Sequence, residues 1–156
     1  FGGDPDRIFI SGHSAGGHLV AMMMSTHWPR FDPHSPDLPG DLIKGGCGIS
    51  GLYDLEPIRL CFLNEDLKLS KNEADRNSPV QLCPAGPAPL VLAVGSEEGP
   101  EYLRQSENLA AAWRCHGIDV DVVVQEGHDH FTMVEQLSAA DSKLSKLILK
   151  QMGCNT

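Results

Sequence analysis

Arg7-Ile8-Phe9-Ile10-Ser11-Gly12-His13-Ser14-Ala15-Gly16-Gly17 is the stretch on which the fold turns. Arg7 to Ser11 is a short apolar run with β-branched and aromatic residues behind the turn Gly2-Gly3-Asp4-Pro5-Asp6, the pattern of a buried strand. From Gly16 to about His27, the residues Leu19, Val20, Met23 and Met24 have the spacing of a buried helix, and Pro29 is expected to end it. Between the two lies Gly12-His13-Ser14-Ala15-Gly16, a G-x-S-x-G sequence in a strand–turn–helix setting. A serine there sits on a very tight turn, so the residues two positions to either side must be tiny, and Gly12 and Gly16 are. The turn lifts the Ser14 hydroxyl above a sheet and aims the next helix N-terminus at it. Ser14 is therefore the candidate nucleophile, and the Ala15 backbone N–H the candidate oxyanion donor, aided by the helix dipole. The competing view is a chance Gly/Ser-rich connection, which would not need a strand before it and a helix after it.

Working outward, Phe31 to Asp41 holds Pro33, Pro36 and Pro39 and is expected to be a loop. Leu42 to Ser50 follows as a second strand, with Gly45, Gly46 and Gly48 allowing close backbone approach. Gly51-Leu52-Tyr53-Asp54-Leu55 turns the chain, Glu56 to Ala74 is helical or irregular, and Pro79, Pro84, Pro87 and Pro89 mark another loop. Pro89 to Gly95 is apolar throughout, as a strand covered on both faces should be. Glu101 to His116 is an amphipathic helix with Leu103, Leu109, Ala110 and Trp113 on its apolar side, stopped by Gly117. Val120 to Val124 is the last strand, and Phe131 to Gln151 a final helix with Met133, Val134, Leu137, Leu144, Leu147 and Ile148 inward. The alternation predicts an α/β protein: a mostly parallel sheet with helices on both faces, and a site at the carboxyl ends of its strands.

A serine is a weak nucleophile without a base that is itself held by an acid. After a strand–turn–helix nucleophile the expected chain order is Ser, then Asp or Glu, then His. The strand ending at Gly95 runs into Ser96-Glu97-Glu98, where Glu98 is preferred as the acid and Glu97 is the runner-up. Both could instead be solvated acids at the start of the helix near Pro100. The loop after the last strand holds His128 and His130, and His130 is preferred because it directly precedes the final helix. His128-Asp129-His130 could also be two ligands of a metal site, but no matching ligand set stands out elsewhere, and neither metal nor cofactor is expected. His13 and His18 flank the serine and are candidates to line the pocket. Asp54 follows the second strand, where some hydrolases place their acid, but a turn aspartate bonding backbone N–H groups is preferred.

The chain has 156 residues, 41% of them hydrophobic, enough for one domain over 1–156. It starts at Phe1 without a Met inside a turn, so a preceding N-terminal portion is expected, which would also hide any signal peptide. Net charge is −9, from 12 Lys and Arg against 21 Asp and Glu. Such a surface repels nucleic acid and anionic membranes and points to a neutral or cationic small molecule as partner. No apolar run approaches the roughly 20 residues that span a bilayer. The five cysteines (Cys47, Cys61, Cys83, Cys115, Cys154) are scattered, odd in number and without a C-x-x-C pair. That favours reduced thiols in a cytoplasmic setting over disulfides or zinc. The Glu101 to His116 helix and the final helix could serve a homodimer, though nothing marks either for it.

Taken together, four segments resemble the kynurenine formamidase (arylformamidase) family and its esterase-like relatives: Phe1-Gly2-Gly3-Asp4-Pro5 with Ser11 to Leu19, Ile49 to Pro57, Val94 to Glu101 with Arg104-Gln105-Ser106, and His128-Asp129-His130-Phe131. G-x-S-x-G is common among hydrolases; its combination with Gly-Leu-Tyr-Asp-Leu-Glu-Pro and Asp-His-Phe is far more specific. The resemblance implies an α/β-hydrolase fold without its N-terminal strands. It also implies a triad of Ser14, Glu98 and His130, and hydrolysis of the N-formyl amide of N-formylkynurenine in tryptophan breakdown. Aspartate is usual at the acid position, so Glu98 departs from the pattern. A greater departure is that no His-Gly-Gly segment, which in this family completes the oxyanion hole, precedes Ser14. A formyl group suits a small acyl pocket, and an aromatic leaving group suits a cavity lined by His13, His18, Tyr53 and Phe131. Two other outcomes fit the sequence: a carboxylesterase of small esters with the same fold, or a truncated chain without catalysis.

Overall fold

The computed structural model describes residues 2–31, 34 and 38–154. Phe1 and the expected loop prolines Pro33 and Pro36 lie outside the described residues. Four strands, β1 (Phe9–His13), β2 (Gly45–Ile49), β3 (Leu90–Gly95) and β4 (Val120–Gln125), form one sheet in that order. All three pairings are parallel, and His13, Ile49, Ala93 and Val123 stand side by side. The chain therefore leaves every strand at the same end of the sheet.

The strands begin later than the apolar runs predict. β1 starts at Phe9 rather than Arg7 and continues through Gly12 to His13, and β2 excludes Leu42 to Lys44. Pairing decides this: the ladder opens with Lys44 N–H donating to the Ile8 carbonyl at 2.8 Å, and Leu42 is held in a turn by the Pro39 carbonyl. The later end of β1 puts Ser14 directly after the last paired residue.

Side chains alternate across β3 and so build two cores. Leu90 and Leu92 join Val20, Ala21, Met24, Leu109, Ala110 and Trp113 on one face, covered by α1 (Ala15–Met24) and α5 (Pro100–Arg114). Val91 and Ala93 join Cys47, Ile49, Met133 and Leu144 on the other, covered by α6 (His130–Glu135) and α7 (Lys143–Gln151). Burial of Cys47 pushes its thiol up to about 12, which makes it a poor nucleophile. All five cysteines are free.

Helix ends and faces differ from expectation at three places. α1 stops at Met24, because the Ser25 and Thr26 hydroxyls bond back to the Ala21 and Met22 carbonyls at 3.0 and 2.9 Å. Pro29 sits within a separate 3-10 turn, Trp28–Arg30. Leu19 is 59% exposed rather than buried; it lines a groove with Phe9, Ile10 and Met23 beside β1, which is an edge of the sheet among the described residues. The single final helix is two: after a 3-10 turn at Gln136–Ser138, Ala139 is extended, and Ser142 caps α7 by accepting the Ser145 N–H at 3.0 Å. Leu137 falls in that turn and is exposed, whereas Met133 and Leu144 are fully buried.

The segment after β2 forms short helices α2 (Glu56–Leu60), α3 (Asn64–Leu67) and α4 (Lys71–Arg76), the last with a Ser70–Glu73 capping box. Among the described residues no helix is long and apolar enough to cross a membrane.

Candidate active site

Ser14 lies between β1 and α1 with φ 57° and ψ −117°, a backbone conformation that side chains other than glycine rarely adopt. Its N–H donates to the Ile49 carbonyl at 2.9 Å, so the turn is pinned to the neighbouring strand. Its side chain makes no capping bond to α1 and is free to face outward. Gly12 is required: a Cβ there would lie 2.3 Å from the Gly16 carbonyl oxygen. Gly16 itself meets no such limit, since a Cβ on it would find nothing within 4 Å. The second close approach is one residue on, at Gly17, whose Cβ would lie 2.8 Å from Gly51 Cα. Ala15 opens α1, so its N–H belongs to the helix's first turn, where donors have no intrahelical acceptor.

Three loops bring the remaining groups to Ser14. His130 Nε2 is 3.1 Å from Ser14 Oγ, and His130 Nδ1 is 2.9 Å from Glu98 Oε2. With Nδ1–H donating to the carboxylate, Nε2 is left to accept the serine proton. Glu98 Oε1 accepts the Ser50 hydroxyl at 2.6 Å and the Gly95 N–H at 2.8 Å. The Glu98 side chain has 0% exposure and His130 23%, so the carboxylate is sealed while the imidazole remains reachable. Glu97 points into solvent and accepts from Ser96 Oγ at 3.2 Å. His128 has a buried Nδ1 without a hydrogen-bond partner.

Contacts between the loop after β3 and the loop after β4 make these choices. Ser96 N–H donates to the Gln125 carbonyl, Glu97 N–H to the His128 carbonyl, and Gly127 N–H to Ser96 Oγ, at 3.0, 3.0 and 2.9 Å. Gly95 permits the approach, because a Cβ there would lie 2.1 Å from the His128 carbonyl oxygen. His128 and Glu97 are thereby spent on backbone contacts, and their neighbours are turned toward Ser14.

Aromatic groups surround the His130 ring. His13 lies 4.5 Å from it, centre to centre, and donates from Nε2 to the His130 carbonyl at 2.7 Å. Tyr102 lies at 4.9 Å and Phe131, 71% exposed, at 5.7 Å. Tyr102 was not anticipated; its only signal is its place in the first turn of the helix that follows the acid. Burial and the nearby Glu98 charge push its hydroxyl above the usual tyrosine range. His18 is half-buried and bonds the Asn77 carbonyl at 2.8 Å.

Tyr53 does not line a pocket. It is 1% exposed and belongs to the core beneath β2. The turn folds its ring into space left by Gly48 and Gly51, whose Cβ atoms would lie 2.2 and 2.3 Å from its hydroxyl. Asp54 keeps a turn role: it accepts the Glu56 N–H at 3.2 Å and pairs with Arg104 at 3.3 Å. The buried Gln105 completes this turn by accepting from the Tyr53 and Asp54 N–H groups at 2.6 and 2.9 Å.

Asp129 is engaged as the cap of α6, accepting the Phe131 and Thr132 N–H groups at 3.0 and 2.8 Å. Among the described residues, no three His, Cys, Asp or Glu side chains form a metal-binding group. The Thr132 N–H above all holds the Asp129 carboxyl below its ordinary value of 3.8. A lowered folded-state pKa means that the cap stabilises α6 above the ordinary value and is lost as pH falls through the lowered one. Amide protection at Phe131 and Thr132 is therefore expected to drop selectively in that acid range. Protection that follows the rest of the chain through the same range would refute the cap's role.

No family model matches the chain. It is similar to kynurenine formamidase of Salmo salar, 39% identical over 152 residues, and of Danio rerio, 37% identical over 151 residues. Each match covers 94% of this chain and 50% of the relative, so the chain spans about half the length of the curated relatives it matches. Among solved structures, an esterase/lipase from an uncultured bacterium superposes with a TM-score of 0.70 at 20% identity, covering 98% of this chain and 56% of that one.

Proposed function

From a chain that has the α/β-hydrolase fold and is similar to the kynurenine formamidases along nearly all its length, we propose the nucleophile, base and acid of a serine hydrolase that cleaves an aryl formamide. The observation that carries this is the continuous path Ser14–His130–Glu98, with bonds of 3.1 and 2.9 Å and the acid sealed from water.

His130 Nε2 takes the Ser14 proton as Oγ attacks the formyl carbon. The negative charge that develops on the formyl oxygen faces the Ala15 N–H and the positive end of α1. Glu98 holds the imidazolium that forms and keeps its ring in the productive tautomer. As the C–N bond breaks, His130 returns the proton to the departing aryl amine, leaving a formyl ester on Ser14. Water, deprotonated by His130, attacks that ester; the Oγ–C bond then breaks, His130 returns the proton to Ser14 Oγ, and formate leaves. The departing aromatic ring packs near His13, Tyr102 and Phe131, which already flank the His130 ring. Formyl suits this arrangement because it is the smallest acyl group and leaves the binding contacts to the amine side. N-formylkynurenine is the substrate we put first, with short-chain aryl esters as the competing class.

Labelling by a fluorophosphonate probe tests the assignment. The folded chain is expected to take the label and Ser14→Ala to lose it entirely, with N-formylkynurenine turned over at a higher kcat/KM than phenyl acetate. Labelling that survives Ser14→Ala overturns the nucleophile. A preference for the ester overturns the substrate class alone.

A further inference from the structure

We propose that Ser50 is a positioning residue for the same reaction: its hydroxyl fixes the Glu98 carboxylate and, through it, the His130 ring. The inference rests on the Ser14–His130–Glu98 assignment proposed above and adds a fourth member to it.

Ser50 directly follows β2 with φ 48°, in the left-handed region where side chains other than glycine are strained. Folding alone would be served better by glycine there. The backbone is nonetheless held firmly, by Ser50 N–H donating to the Ala93 carbonyl at 2.7 Å. The conformation aims a completely buried hydroxyl at Glu98 Oε1, 2.6 Å away. Strain concentrated on one polar side chain that touches the acid is a mark of a site, not of packing.

The chemistry gives that hydroxyl a task. A buried carboxylate must be compensated by donors or by a cation. Among the described residues no Lys or Arg pairs with Glu98; its donors are Ser50, the Gly95 N–H and His130 Nδ1. Ser50 and Gly95 arrive from the ends of two different strands and hold the same oxygen, Oε1, so the carboxylate cannot rotate and Oε2 is left for His130. A glutamate has one more rotatable bond than an aspartate, and the tether removes that freedom. The other titratable groups facing the pair are His13 from β1, Tyr53 from the loop after β2 and Tyr102 from α5.

Without the hydroxyl, the Glu98 anion is stabilised less, so the Glu98–His130 pair binds a proton more tightly and its titration moves to higher pH. The experiment compares the unaltered chain with Ser50→Ala and Ser50→Gly, the latter suited to the left-handed backbone should alanine impair folding. His130 is titrated by NMR, and the rate of fluorophosphonate labelling is followed against pH. Loss of a hydrogen bond to a charged group is expected to move the His130 midpoint up by about one pH unit and so to slow labelling by up to about tenfold at pH values below that midpoint. A folded variant with an unmoved midpoint overturns the proposal, even if labelling slows. If the unaltered chain takes no label but the midpoint still moves, the hydrolase assignment fails for this chain while the positioning role of Ser50 stands.

Discussion

His130→Ala is expected to lower kcat about 10²–10⁴-fold, the range for removing a general base, while leaving the melting temperature nearly unchanged. Among the described residues, the imidazole is the side chain hydrogen-bonded to the Ser14 hydroxyl, at 3.1 Å, and its other nitrogen is committed to Glu98. Its removal leaves a serine hydroxyl with no acceptor and a carboxylate that no longer reaches it. The fold is spared, because the bond that anchors this position runs from His13 to the His130 backbone carbonyl and survives the substitution. Steady-state kinetics and a thermal melt on the same preparation check both halves. A kcat within a few-fold of the unaltered chain would mean that another base serves Ser14 and would dismantle the proposed mechanism.

Trp113→Ala is expected to show the largest loss of stability, about 3–5 kcal/mol. Trp113 is fully buried and heads the largest side chains sealed in the core. It packs α5 against the face of the sheet formed by Leu90 and Leu92. Its ring N–H also donates to the Pro79 and Leu82 carbonyls at 3.3 and 3.1 Å. Alanine would therefore leave a cavity and deprive the half-buried Leu82 carbonyl of its Trp113 donor, whereas the Pro79 carbonyl keeps the Leu82 N–H at 3.0 Å. For a chain of this length each kcal/mol shifts the melting temperature by about 2–4 °C, so the expected fall is roughly 6–20 °C. Urea denaturation followed by circular dichroism measures it directly. A loss under about 1 kcal/mol would mean that the core on this face repacks and does not depend on α5 in the way described.

What could be read without a structure was whatever depends on residues close in the chain. The Gly12 to Gly16 turn is such a case, since the tightness of the turn and the side chain it presents are set within five residues. The unbroken apolar run of β3 is another: only a strand covered on both faces can afford it. Strand starts were less legible, because β1 begins where Lys44 first pairs with Ile8, a contact between residues far apart in the chain. The break between α6 and α7 turns on the extended Ala139 and the Ser142 cap, which a run of helix-compatible residues conceals. Leu19 carries a buried residue's chemistry but lies beside the edge strand of the described sheet.

By itself, then, the sequence determined the parallel α/β architecture, the strained serine between β1 and α1, and the two short segments from which an acid and a histidine could come. Only the tertiary structure brought Glu98 rather than Glu97, and His130 rather than His128, into the hydrogen-bonded path to Ser14. Each pair lies within two residues in a polar loop, so composition and periodicity treat its members alike. The difference arises where Ser96 meets Gln125 and Glu97 meets the His128 carbonyl, over a Gly95 that leaves room for them. The tertiary structure also moved Tyr53 from pocket to core and introduced Ser50 and Tyr102 to the site. Those placements depend on which backbones approach across the sheet, and that distance between strands is information no local stretch of residues contains.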